Sequence, residues 1–149
     1  MSDLQELERR ILSELEWAGE ENLPTIMNTV TQRTGDINEV VLVQAALDSL
    51  VRADLVRVAF ERDRSTTDDR VPDEFAEMAL DHYSSMRLRP FSKGDSLVVI
   101  ADLRSHLKFR ESDKHWTGIK KPWPEIITTD AGKTKGRAIL EVYGYQWWR

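Results

Sequence analysis

Few residues in this chain could do chemistry, and their spacing narrows what that chemistry is. There are three histidines, His82, His106 and His115, and no cysteine in 149 residues. No two of the histidines stand at a metal-ligand interval, and without thiolates the sulfur-based zinc and iron–sulfur sites are excluded. Carboxylates crowd at Asp68-Asp69, Asp73-Glu74 and Asp81, but such a run without a recognisable catalytic frame reads as a solvated acidic face. Neither a nucleophile with its base nor a phosphate-cradling Gly loop is present. The chain is therefore read as a non-enzyme with no metal or cofactor, and binding is the chemistry that remains.

Three stretches could bind. From Arg104 to Lys121 six Lys or Arg stand against two acids, with Trp116 among them, a basic and aromatic strip of the kind that lies along a phosphate backbone. The plain alternative is a solvated hairpin whose Trp packs inward. In the second stretch, Val40, Val43, Leu47 and Leu50 fall on one helical stripe. Turning about 100° per residue then leaves Asn38, Val41, Ala45, Asp48, Ser49 and Arg52 outward, with Leu42 and Gln44 at the sides. Reading base edges needs Arg, Lys, Asn or Gln. Val41, Leu42 and Ala45 instead make this face apolar, as a surface covered by another protein would be. The third is the C-terminal Val142–Arg149, with Tyr143, Tyr145, Trp147 and Trp148 in eight residues. These aromatics pack back on the domain or seal a dimer, since exposure would leave an aggregation-prone patch.

The elements that must hold these residues follow from periodicity. Leu4, Leu7, Ile11, Leu15 and Ala18 predict an amphipathic helix over 3–18, with Trp17 capping the core and 19–22 a polar loop. Pro24 opens a second helix running to Thr34, with Ile26, Met27 and Val30 inward and Gly35 ending it. Asp36 and Glu39 form a capping box for the third. Val56, Val58 and Phe60 alternate with Arg57 and Ala59 as in a half-buried strand. Residues 61–70 are a solvated loop. Pro72 begins a helix that fades at Leu88–Pro90, and 91–95 is a turn. Residues 96–107 fit helical spacing better than a strand. A hairpin follows, with Leu107 and Phe109 on one arm, Trp116 on the other and 111–114 as its turn. Glu125–Lys133 passes from a short strand into a helix capped by Thr129 or Asp130.

The run of two helices, a Gly turn and a strand over 22–60, with Leu47–Val56, resembles the bacterial winged helix-turn-helix family, in which a recognition helix runs into a strand. In that family a later strand ends in Leu-Thr-x-x-Gly before a closing helix. Ile127, Thr129 and Gly132 occupy a similar pattern, with Thr128 as one additional residue. The resemblance covers 3–60 and 123–143. It implies a mainly α fold with a small antiparallel sheet (α+β), one domain over 1–149 with residues 61–122 inserted between the wing strands, and duplex DNA binding for transcriptional control, as a dimer. On that reading Thr31, Gln32, Arg33, Asn38, Gln44 and Arg52 lie near the groove, and Lys108, Arg110, Lys114, Lys120 and Lys121 meet phosphates. The alternative is a protein-interaction module that uses Val41, Leu42 and Ala45, or Trp147 and Trp148, on a protein partner or a second copy.

Charge is unevenly spread. The net charge is −5, with five Lys/Arg against eleven Asp/Glu over 1–60 but eleven against seven over 91–149. The basic third coincides with the strip around Trp116. With an acidic N-terminus and no apolar run near the roughly 20 residues a bilayer requires, the chain reads as cytoplasmic, without signal peptide or membrane helix.

Overall fold

The computed structural model describes residues 3–61, 88–119, 121 and 123–149. The helix expected from Pro72, with His82 and the acids around it, falls outside them, as does Lys120. What is described is mainly helical with small antiparallel sheets.

Helix α1 (Asp3–Ala18) has Asp3 and Glu6 in its first turn, where carboxylates complement the helix dipole. It ends at Gly19, whose φ of +87° suits a residue without Cβ and whose N–H returns to the Leu15 carbonyl at 2.8 Å. Leu7, Ile11 and Leu15 are buried as expected, but so are Leu12, Ser13 and Glu14, while Ala18 is exposed. The cause is a second neighbour: α1 packs against α2 and α3, and also against the closing helix. Trp17 does not cap the core. Lying about 200° round the helix from Leu15, it is 59 % exposed and stacks on Tyr145 at 4.2 Å.

The expected loop after α1 is instead a strand, β1 (Glu20–Asn22). It has no apolar pattern and is held by backbone pairing with a distant strand. In α2 (Leu23–Val30) the Asn22 side chain caps the start, accepting from the Thr25 N–H at 2.9 Å. The helix stops at Val30, short of Gly35, because the Thr31 hydroxyl and N–H both turn back to the Met27 carbonyl. Helix α3 (Ile37–Arg52) begins at Asp36, which accepts from the Asn38 N–H at 2.9 Å. The capping box is displaced: Glu39 Oε1 accepts from the N–H groups of Thr34 and Gly35 at 3.0 and 3.1 Å, rather than from Asp36.

Strand β2 (Val56–Glu61) is buried on both faces from Val56 to Ala59, not on alternate residues. It is central, lying between β6 (Glu125–Thr128) and β3 (Leu88–Pro90) in the order β1-β6-β2-β3, with every pairing antiparallel. Leu88–Pro90, expected as a fading helix end, is thus an edge strand, where the missing N–H of Pro90 is tolerated. Arg57 stays buried because its guanidinium donates to the Val56 carbonyl at 2.8 Å and to Asp54 at 2.9 Å.

Ser92 then caps α4 (Lys93–Ala101), accepting from the Asp95 N–H. The helix expected over 96–107 therefore begins within the anticipated turn, and a short 3-10 turn over Leu103–His106 ends it. The hairpin is as anticipated, β4 (Leu107–Arg110) pairing with β5 (His115–Gly118) and Phe109 standing opposite Trp116. Thr129 caps the closing helix α5 (Asp130–Tyr143), its Oγ1 accepting from the Gly132 N–H at 3.1 Å and donating to the Asp54 carbonyl at 2.6 Å. One cluster of buried side chains runs from Leu7 to Ile139.

Candidate functional site

Helix α3 turns its outward arc to solvent between α2 and α4. Ile37, Val41 and Leu42 are 40 %, 55 % and 44 % exposed, and Asn38 and Ala45 are also exposed. Val40, Val43, Ala46, Leu47, Leu50 and Val51 form the buried side, and that burial is what leaves the apolar outer residues facing away from the core. Gln44 is turned aside, reaching the Ala101 carbonyl of α4 at 3.5 Å. Arg52, the one cation on this arc, is held by Asp48 one turn back at 2.8 Å. Hydrogen bonding to that carboxylate raises its already high pKa.

Two of the polar candidates around the turn, Thr31 and Arg33, are likewise engaged. Thr31 caps α2, Gln32 is exposed, and Arg33 sits in the left-handed region with φ of +56°. The Arg33 guanidinium lies 3.2 Å from His115 Nε2, while His115 Nδ1 lies 2.7 Å from the Asp113 carbonyl. With Nδ1–H donating to that carbonyl, Nε2 is placed to accept from Arg33.

Two of the hairpin's three cations are paired at the surface within its own turn. Arg110 donates to Asp113 at 2.8 Å and Lys114 to Glu111 at 2.8 Å. The guanidinium holds the Asp113 carboxyl below its usual range. Lys108 is exposed and ion-paired to no carboxylate among the described residues, and Lys121 lies 5.0 Å from the centre of the Trp123 ring. Trp116 is 5 % exposed, packed edge-on to Phe109, with its Nε1 donating to Glu39 Oε1 at 3.3 Å. The inward alternative holds for this Trp, so its ring is not available to a nucleic acid.

The C-terminal aromatics fold back. Trp147 Nε1 donates to Ser13 Oγ and Trp148 Nε1 to the Thr29 carbonyl, both at 3.2 Å, and the two rings meet edge to face. Tyr143 and Tyr145 remain about half exposed, the first beside Trp147 and the second stacked on Trp17. The structure thus brings Val41, Leu42 and Ala45 together on one surface and places Trp147 and Trp148 elsewhere, against α1 and α2.

One feature was not anticipated from the sequence. A cleft of about 230 Å³ opens beside Leu42, lined by Asp3, Glu6, Leu7 and Arg10 of α1, Val30, Thr31, Gln32 and Glu39. Its only sequence trace is the Glu6–Arg10 spacing, which forms an ion pair at 2.9 Å. Among the described residues no group of three His, Asp or Glu could hold a metal ion, and no helix is long and apolar enough to cross a membrane. Comparison with family models, curated proteins and solved structures gave no match to this chain.

Proposed function

We propose that this chain is a winged-helix module without catalysis of its own, whose α3 docks a protein partner. The architecture is supported by the succession of α1, α2 and α3, by β1 and β2 flanking β6, and by the Thr129 cap leading into α5. The binding mode rests on one observation: the outward arc of α3 exposes Ile37, Val41 and Leu42 and carries a single cation, Arg52, in a surface pair with Asp48. A base-reading helix needs free donors and positive charge on that arc. An apolar arc is stabilised instead by removing it from water against another protein.

Duplex DNA is the second reading, favoured by the exposed Lys108 on the hairpin and by the winged-helix order itself. A salt titration of duplex binding separates the two. Contact with phosphates gives a slope of about −0.9 per neutralised phosphate in log affinity against log salt. With α3 as a protein-docking surface, no measurable binding is expected at low salt. A steep slope that flattens when Lys108, Arg110 and Lys114 become Ala would establish DNA instead.

A further inference from the structure

The cleft beside Leu42 bears on what kind of partner α3 takes. Leu7 of α1, Val30 of α2 and Leu42 of α3 supply its apolar walls, and Asp3, Glu6, Glu39 and Arg10 its charged groups. That is three carboxylates to one guanidinium: Glu6 is paired with Arg10, Glu39 accepts the N–H groups of Thr34, Gly35 and Trp116, and Asp3 is the exposed carboxylate left at the rim. Arg10 donates to the Val30 carbonyl at 3.0 Å and to Glu6 at 2.9 Å, while its Nε is buried without a hydrogen-bond partner and out of reach of an entering group. An anionic group entering here would meet a net excess of two carboxylates. A purely apolar group would fill the walls and leave the acidic rim without a counter-charge. The volume, about 230 Å³, is below the range of roughly 300–1,000 Å³ usual for drug-sized ligands. It suits one large side chain better than a whole small molecule.

We infer that the occupant is a cationic amphipathic segment of a partner protein. One bulky apolar side chain enters between Leu7, Val30 and Leu42, and a flanking Lys or Arg faces Asp3. Helix-in-groove recognition works this way, with apolar anchors providing the contact and charge fixing orientation. The inference rests on α3 being the docking surface, since Leu42 both lines the cleft and belongs to the exposed arc.

The test titrates the full chain, labelled with nitrogen-15, with two synthetic amphipathic helical peptides of about 18 residues and identical apolar spacing. One is built from Leu and Lys, the other from Leu and Glu. The Leu/Lys peptide is expected to shift the amide signals of Leu7, Val30 and Leu42 and to bind at least about tenfold more tightly than the Leu/Glu peptide. The difference should shrink as salt screens the charges. Leu42→Ala and Asp3→Lys alter partly or fully exposed side chains, so the fold is kept, and each is expected to weaken the Leu/Lys peptide several-fold. Equal binding of the two peptides would overturn the charge assignment. Failure of both to bind, shifts confined to other surfaces, or affinity indifferent to Leu42→Ala would overturn the cleft as the site. Photo-crosslinking from Ala45 decides separately whether α3 meets a protein at all.

Discussion

Asn28 and Trp116 are joined by two reciprocal hydrogen bonds: Asn28 Nδ2 donates to the Trp116 carbonyl at 2.9 Å, and the Trp116 N–H donates to Asn28 Oδ1 at 2.7 Å. A side-chain amide presents a donor and an acceptor as a peptide group does, so Asn28 pairs with β5 as a single residue of a third strand would. The Trp116 indole then reaches Glu39, whose same oxygen gathers the N–H groups of Thr34 and Gly35 before α3. The hairpin is thereby fixed both to α2 and to the start of α3. Replacing Asn28 by Ala leaves the Trp116 peptide groups without these partners. Loss of about 2 kcal/mol of unfolding free energy is expected, read from the denaturant midpoint. An unchanged midpoint would mean that the hairpin is held by its ring contacts alone.

Gly132 is fixed by space. A methyl group there would overlap the Leu55 carbonyl oxygen, the same oxygen that accepts from the Thr129 N–H at 3.0 Å. Gly132→Ala is expected to lower stability by at least about 2 kcal/mol, the overlap outweighing the better helix propensity of Ala. Thermal unfolding measures it, and a stabilised variant would contradict the close approach.

What local patterns disclose and what they do not can be followed residue by residue. Helices α1 and α3, the β4–β5 hairpin and the Thr129 cap rest on near-neighbour spacing, and they stand where that spacing put them. Glu20–Asn22 and Leu88–Pro90 are strands only because β6 and β2 pair with them, and three residues are too short to carry a period. Trp17 misleads because large aromatics are usually buried, whereas its angular position on α1 faces away from the core. The outward residues of α3 follow from a rotation of 100° per residue. The cleft does not, because α1, α2 and α3 each contribute one wall. The Arg110–Asp113 and Lys114–Glu111 partners lie three residues apart, so the pairing of these two cations was within reach of local spacing, although a bare charge count does not say which cations are paired.

A half-buried carboxylate makes stability depend on pH. Burial raises the Glu21 carboxyl to about 7, and neighbouring Glu14, Glu125 and Glu20 add to the shift. Burial also raises Glu14, with Arg149 opposing it. In the unfolded chain Glu21 titrates near its ordinary 4.5. Between 4.5 and about 7 the folded chain therefore holds protons that the unfolded chain has released, and stability falls as pH rises. Asp54 and Asp113, both depressed by hydrogen-bonded cations, act below 3.8 and outside that window. Glu21→Gln is expected to lessen the decline, raising the melting temperature at pH about 8 more than at pH about 4.5. Equal changes at both pH values would show that Glu21 is not the titrating group.

The tail belongs to the fold. Because Trp147 and Trp148 are half-buried and bonded to Ser13 and Thr29 of the same chain, deletion of residues 144–149 is expected to cost roughly 3–5 kcal/mol, about what one fully buried large aromatic contributes. The mass in solution should not change. Dissociation of an oligomer with unchanged unfolding free energy would assign these rings to a subunit interface.

The most direct measurement places a photo-crosslinking amino acid at Ala45, which is exposed at the centre of the outward arc of α3, and irradiates the full chain in cells. Expected is one discrete protein adduct, resistant to nuclease, identified by mass spectrometry, and absent when Val41→Asp accompanies the crosslinker. A nuclease-sensitive adduct to DNA, or a protein adduct indifferent to Val41→Asp, would contradict α3 as a protein-docking surface.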